Sequence, residues 1–258
     1  MTKLGSFIII ICFCSLGAVH AQNETLGDVH LFQTFFNDAA APTTTYGEGV
    51  FGFSNFDGAN VINLGVRAGF PINEQFTVGG GIAFLNADPD VGNGESGISD
   101  LRMVGIYHLP SRSATIFSVG GFLTLPIGKD ELGQGEASFG AFGAVRHPVA
   151  RQTVITGTLG LEFLKGAPVE AGGWPGVGVG ANRETALLLG GGVVHQVTGA
   201  VSLVGELNFR TEGDFALLTG GVDYELASGG RLRGGLGIGV DDGAPDVSIL
   251  LGYLHSFR

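Results

Sequence analysis

Alternation of apolar and polar side chains with a period of two runs through most of this chain. In residues 61–70, Ile62 and Leu64 share one face, whereas Asn63 and Arg67 lie on the other. A period of two is that of a β-strand, and it excludes an amphipathic helix, whose period is 3.6. The same alternation recurs at 154–163, 201–210 and 231–240.

The alternation and the turn residues together predict strands over 48–57, 60–70, 76–86, 98–109, 114–125, 136–146, 153–165, 184–195, 200–210, 214–226, 231–241 and 246–258. Twelve is an even number, and short turns alternate with generally longer loops, of which 166–183 is the longest. A strand of about 11 residues is about 36 Å long. Tilted by about 40°, it spans about 28 Å, close to the apolar band of an outer-membrane barrel. The sequence therefore predicts an all-β fold, a closed antiparallel up-and-down transmembrane β-barrel of about 12 strands.

The composition excludes several other classes of protein. The chain carries 24 Asp and Glu against 13 Lys and Arg, a net charge of −11, so no nucleic-acid partner is expected. Hydrophobic residues make up 44% of the chain, which argues against disorder. No run reaches the roughly 18 apolar residues of a membrane-spanning helix.

The N-terminus reads as a secretory signal peptide over residues 1–21. Lys3 supplies the positive start, residues 7–13 the apolar run, and Val19 and Ala21 the small residues before a cleavage site. Both cysteines lie inside this segment, so the mature chain has neither a disulfide nor a thiolate metal site. The expected organisation is a signal peptide (1–21), a periplasmic or mouth segment (22–47) and the barrel (48–258), in the bacterial outer membrane.

The last predicted strand carries a feature that also indicates an outer-membrane barrel. Phe257 stands at the end of an alternating apolar face, one residue before the C-terminal Arg258. A terminal aromatic on such a face resembles the assembly signal of bacterial outer-membrane barrels, although here it is penultimate.

Short glycine-containing motifs carry a family resemblance, over 61–84, 96–110 and 122–142. In the second stretch, Gly97, Asp100 and Tyr107 are similar to a Gly-x-x-Asp start of a strand that ends in an aromatic residue. In the third, residues 125–128 (LPIG) resemble a strand exit before an acidic, glycine-rich loop, with Ile127 where Thr is usual. The chain thus resembles the outer-membrane family named for the MetA pathway of phenol degradation. This resemblance implies a barrel that passes small, aromatic or hydrophobic, molecules.

A barrel in lipid turns its apolar face outward and its polar face toward the lumen. Six basic and six acidic residues fall on the predicted inner face, so we expect a lumen rich in ion pairs, with a charge cluster beside the turn 227–230. No catalytic, cofactor-binding or metal-binding residue is predicted. The lumen-lining candidates are Arg67, Asp100, Arg102, Arg146, Glu162, Glu206, Arg210, Asp223, Glu225, Arg231, Arg233 and Asp241.

These observations predict a channel or transporter-like barrel, not an enzyme, for passive or facilitated passage of small solutes. Its expected partners are outer-membrane lipid and a small-molecule solute, and its oligomeric state stays open. One alternative is a structural or adhesive barrel with a filled lumen, whose loop 166–183, with Trp174, binds a partner. Others are a barrel enzyme, although no nucleophile elbow is visible, and a soluble secreted β-sandwich, whose strands also alternate.

Overall fold

The computed structural model describes residues 26, 29–32, 38–129, 132–133, 135–171 and 174–257, without the side chains of 165–183. The predicted signal peptide lies outside the described residues. The described chain forms one antiparallel sheet of strands. They are β1 (Thr45–Phe56), β2 (Ala59–Pro71), β3 (Phe76–Pro89), β4 (Glu95–Ile98), β5 (Leu101–Leu109), β6 (Ile116–Leu125), β7 (Ser138–Ala150), β8 (Thr153–Ala171), β9 (Trp174–Gln196), β10 (Val201–Arg210), β11 (Phe215–Glu225), β12 (Gly230–Gly239) and β13 (Val247–Phe257).

The sheet closes on itself, since β1 pairs with β13 on one side and with β2 on the other. Strands β4 and β5 both pair with β3 and make up a single barrel strand with a one-residue shift of register at Ser99 and Asp100. Counted in this way, the described residues form twelve barrel strands. The predicted closed antiparallel barrel of about 12 strands is therefore confirmed.

The exposure of the side chains is the reverse of that in a soluble protein. Leu203, Leu232 and Leu251 are 46%, 47% and 53% exposed, whereas Glu206 and Arg233 are 2% and 4% exposed. Because the wall is one strand thick, alternate residues point outward and inward. The outer face is apolar and the inner face carries the charges, as in barrels whose outer band contacts lipid.

Two ends of the barrel differ in their connections. Turns 72–75, 110–115, 151–152, 197–200 and 226–229 lie at the same end as the start of β1, and we call this the short-turn end. At the other end, β8 and β9 continue their hairpin to Ala171 and Trp174, so the predicted long loop 166–183 is largely extended backbone. Its Val-Gly alternation continues the strand pattern. Residues 172–173 and the Trp174 side chain lie outside the description.

An N-terminal segment, the described residues 26, 29–32 and 38–44, precedes β1. Leu26, Val29, Leu31 and Phe32 are buried in one cluster with Val154 on β8 and inner-face residues of β9, β10 and β13. The segment thus lies inside the barrel rather than beside it. Among the described residues, no helix combines the length and the apolar character needed to cross a bilayer.

Candidate functional site: the lumen of the barrel

The structure places the sequence-predicted lumen residues at three kinds of position. Glu225 is half-buried at the end of β11, and Asp241 is exposed in the loop after β12, which ends at Gly239 rather than at 241. The others are buried on inner positions of the wall: Arg67, Asp100, Arg102, Arg146, Glu162, Glu206, Arg210, Asp223, Arg231 and Arg233.

A charge cluster lies at the short-turn end, formed by Glu48, Asp223, Glu225, Arg231 and Arg233. In the register of β11 and β12, Asp223 opposes Arg233 and Glu225 opposes Arg231. Arg231 Nε lies 2.7 Å from Asp223 Oδ1 and Arg231 Nη1 lies 3.1 Å from Glu225 Oε2. Arg233 bonds to Asp223 Oδ2 at 3.2 Å and to Glu48 Oε1 at 2.7 Å. The pairing expected across the 227–230 turn is present.

Glu48 was missed by the sequence reasoning, although its position was within a predicted strand. In β1, Phe51 and Phe53 face outward, so residues of the opposite parity, Glu48 and Ser54 among them, face inward. This parity was the available signal. Glu48 supplies the carboxylate that joins β1 to the cluster on β11 and β12.

Wall arginines hold the N-terminal segment by its main chain. Arg233 Nη2 donates to the carbonyls of His30 (2.5 Å) and Leu31 (3.3 Å). Arg67 Nη1 donates to the carbonyl of Phe32 at 3.2 Å. Because these are bonds to backbone oxygens, they fix the path of the segment through the lumen without depending on its side chains.

The ring of Phe32 occupies a recess in the wall. It lies against Gly221 and Gly235, where an added Cβ would contact the ring, and it lies 4.8 Å beneath the guanidinium of Arg233. The backbone N–H of Phe32 donates to Glu206 Oε2 at 2.6 Å. The two glycines thus make room for an aromatic side chain of the segment itself.

A second arginine contact uses a side chain of the segment. Arg146 Nη1 lies 3.0 Å from Asp38 Oδ2, and Arg146 Nη2 donates to the carbonyls of Leu26 (2.6 Å) and Val29 (2.9 Å). Thr156 Oγ1 donates to Asp38 Oδ1 at 2.8 Å. Both carboxylate oxygens are therefore bonded, and Asp38 and Arg146 are both almost fully buried.

His30 is a buried histidine of the segment. Its ring lies 5.3 Å from that of Tyr46. Burial lowers the pKa of His30 to about 4, and the nearby cations Arg233 and Arg146 act in the same direction, against Asp38 and Glu48. The imidazole is therefore neutral at pH 7.

The inner face of β5–β7 includes an apolar patch. We call Val104, Ile106, Phe122, Phe142 and Ala144, which are buried in one cluster, the apolar wall. These residues have the same alternation along their strands as the inward polar residues, which indicates that they face the lumen. The sequence reasoning nevertheless assigned only charged residues to the lumen. The apolar wall gives the lumen an apolar side, on strands that lie across the barrel from those of the charge cluster.

The aromatic members of the wall pack against glycines. A Cβ added at Gly120 would contact the Phe142 ring, and one added at Gly140 would contact the Phe122 ring. Arg102 lies 3.9 Å above the Phe122 ring and 3.9 Å from a carboxylate oxygen of Glu162. A cationic and an aromatic surface therefore meet on the inner face of β5 and β6.

Two of the three glycine-containing stretches, 96–110 and 122–142, contact each other at the end of the barrel opposite the short-turn end. The backbone N–H of Gly128 donates to Asp100 Oδ1 at 3.2 Å, and that of Lys129 donates to the Ile98 carbonyl at 3.3 Å. Ser99 Oγ accepts from the backbone N–H of Ala83 at 2.9 Å. The break between β4 and β5 is thus closed by the chain that follows β6.

A small cavity of about 10 Å³ lies beside the N-terminal segment, lined by His30, Asp38, Tyr46, Val104 and Ile106 among others. That is close to the room needed by one water molecule. The segment and the wall therefore fill the lumen closely here. Within the described chain, no three His, Cys, Asp or Glu side chains are grouped so that they could hold a metal ion.

Comparison with known proteins places this fold among outer-membrane barrels. No protein-family model and no curated protein sequence matches the chain. Among solved structures, an outer membrane channel from Pseudomonas putida F1 is 13% identical, with 83% of this chain and 95% of that chain covered and a TM-score of 0.63. The KdgM porin (9%, 82% and 99%, 0.58) and the NanC porin (9%, 82% and 99%, 0.56) share the fold. A structure of the KdgM porin in complex with disordered oligogalacturonate is similar to the same extent.

Proposed function

We propose that this protein is a channel of the bacterial outer membrane for small solutes, closed in this conformation by its own N-terminal segment. The observation that carries the proposal is the inverted barrel, with an apolar exterior and a charged interior. An outer face so rich in exposed apolar side chains is stable where lipid covers it. The charges face inward because Arg at the lipid midplane costs about 2–4 kcal/mol. Passage, rather than catalysis, is the function that this architecture supports.

The proposed solutes are small and aromatic or hydrophobic. The apolar wall supports this choice, because aromatic side chains such as Phe122 and Phe142 present a low-polarity surface to the lumen. We also propose membership of the family named for the MetA pathway of phenol degradation. The contact of Gly128 with Asp100 supports it, since it joins two of the three stretches on which that resemblance rests.

Deletion of residues 22–44 tests the proposal directly. The refolded deletion variant and the full-length mature chain are compared by liposome swelling and by conductance in planar bilayers. We expect larger conductance steps and faster swelling for the deletion variant, because the segment that fills the lumen is gone. Heat-modifiable migration in gels first shows that both proteins are folded, and exposed Arg112→Gln, in a short turn, serves as a control.

The second candidate function is a structural or adhesive barrel with a filled lumen. The burial of the inward side chains and the contacts of Arg146 and Arg233 with the segment favour it. If neither the full-length chain nor the deletion variant passes ions or solutes, this candidate replaces the channel. Cell fractionation tests the location: recovery without detergent, from periplasm or medium, contradicts both.

A further inference from the structure

The carboxylate of Asp38 sits in the lumen wall as a ligand sits in a binding site. One oxygen accepts from Arg146 at 3.0 Å and the other from Thr156 at 2.8 Å. These two wall residues are direct partners in the register of β7 and β8, so the sheet itself sets their spacing. The Arg146 side chain is 3% exposed, and a cation so deeply buried requires an anion.

An apolar site adjoins this carboxylate seat. Ala39, the residue after Asp38, is fully buried and belongs to the cluster of the apolar wall, with Val104, Ile106 and Phe122. The small cavity described above is lined by Asp38, Ala40, Val104 and Ile106. A methyl group is a small occupant for a surface that includes two phenylalanine rings. The lumen thus pairs an anion seat with a larger apolar surface beside it.

We propose that Arg146 and Thr156 form a binding site for small monocarboxylates with an apolar body, such as benzoate. Asp38 and Ala39 occupy this site as an internal stand-in for such a molecule. The inference rests on the proposed function and adds to it a substrate class, aromatic and aliphatic acids. It also assigns Arg146 the selection of the carboxylate.

The stand-in competes with an added carboxylate. A tethered group acts at an effective concentration in the millimolar range for a short flexible link. The apparent affinity for a free ligand falls by the fraction of protein in which the site is open. Removing the Asp38 carboxylate is therefore expected to tighten benzoate binding by about tenfold or more.

Calorimetric titration with sodium benzoate tests this on the refolded, detergent-solubilised full-length mature chain. The proteins are the wild type, Asp38→Ala, and Asp38→Ala combined with Arg146→Gln. Exposed Asp246→Asn is the control for loss of an acidic residue. We expect benzoate to bind Asp38→Ala at least tenfold more tightly than the wild type and Asp246→Asn, and the double variant to lose this gain. Benzamide, which has the same ring but no charge, should bind all four proteins alike within a factor of three.

Three results would overturn the inference: equal benzoate affinity in the wild type and Asp38→Ala, retention of the gain after Arg146→Gln, or an equal gain for benzamide. If Asp38→Ala does not refold, Asp38→Asn and its Arg146→Gln partner are titrated, with the same ranking expected. The double variant should fold, because it has neither the buried anion nor the buried cation. Since calorimetry measures binding and not passage, a failure here is distinct from a failure of swelling and conductance, which contradicts the channel.

Discussion

Removal of the Arg233 side chain is expected to destabilise the barrel strongly. Its guanidinium donates to Glu48 Oε1 (2.7 Å), to Asp223 Oδ2 (3.2 Å) and to the His30 carbonyl (2.5 Å). In Arg233→Met, Asp223 keeps its bond to Arg231, but the Glu48 carboxylate is left buried without this cation. Breaking a buried ion pair by removing one partner costs about 3–5 kcal/mol. We expect a loss of that size in the free energy of unfolding, measured by urea titration of the refolded protein in vesicles.

Two further variants decide whether burial is the cause. Lys129 and Glu95 form an ion pair at 3.3 Å with side chains 51% and 47% exposed, so Lys129→Met should cost less than about 1 kcal/mol. Adding Glu48→Gln to Arg233→Met should recover part of the loss, with a coupling of about 0.5–3 kcal/mol between the two sites. If Arg233→Met costs no more than Lys129→Met, water reaches the charge cluster and the argument from burial fails.

Three other perturbations follow from the same structure. Leu64→Arg, on the outer face of β2, should cost about 2–4 kcal/mol in urea unfolding from vesicles, whereas Val91→Arg in a loop should cost nothing measurable. Gly140→Ala should cost about 1–3 kcal/mol by overpacking against the Phe122 ring, and a smaller loss by the same assay contradicts that packing. Because the pKa of His30 is lowered to about 4, the unfolded chain binds more protons below its ordinary value of about 6.5. The contribution of neutral His30 to the stability of the segment in the lumen is therefore fully present above about pH 6.5 and falls by about 3 kcal/mol as the pH is lowered toward 4. Protease cleavage of the segment should rise as the pH falls over this range, and His30→Asn should abolish that rise.

The wall of the barrel was predictable from the sequence because its determinants are local. Alternation fixes which residues share a face, and the parity of the connections fixes the even strand number, so most strand ends lie within a few residues of their predicted positions. The opposition of Asp223 to Arg233 followed from the short turn between them. Pairs across a tight hairpin are close in sequence, so their contact can be predicted without knowing how distant parts of the chain fold.

The filling of the lumen was not predictable, because it depends on contacts between residues far apart in sequence. Arg146 meets Asp38, 108 residues away, and no periodicity announces that pairing. The break at Ser99 likewise depends on the chain around Gly128 folding back onto it. The apolar wall was not predicted because the interior was expected to be polar, whereas a lumen occupied by protein tolerates Phe122 inside.

The bonds from wall arginines to carbonyls of the N-terminal segment have a consequence for how its sequence can vary. A main-chain carbonyl is present whatever amino acid stands at a position. These contacts therefore depend on the path of the backbone of the segment and not on its side chains. A substitution at one of these positions therefore leaves the carbonyl contact in place, and what it must preserve is the packing of buried side chains such as Leu26 and Val29. Among the described residues of the segment, Phe32 requires a glycine recess and Asp38 requires a cation, so at these positions the wall also depends on which side chain is present.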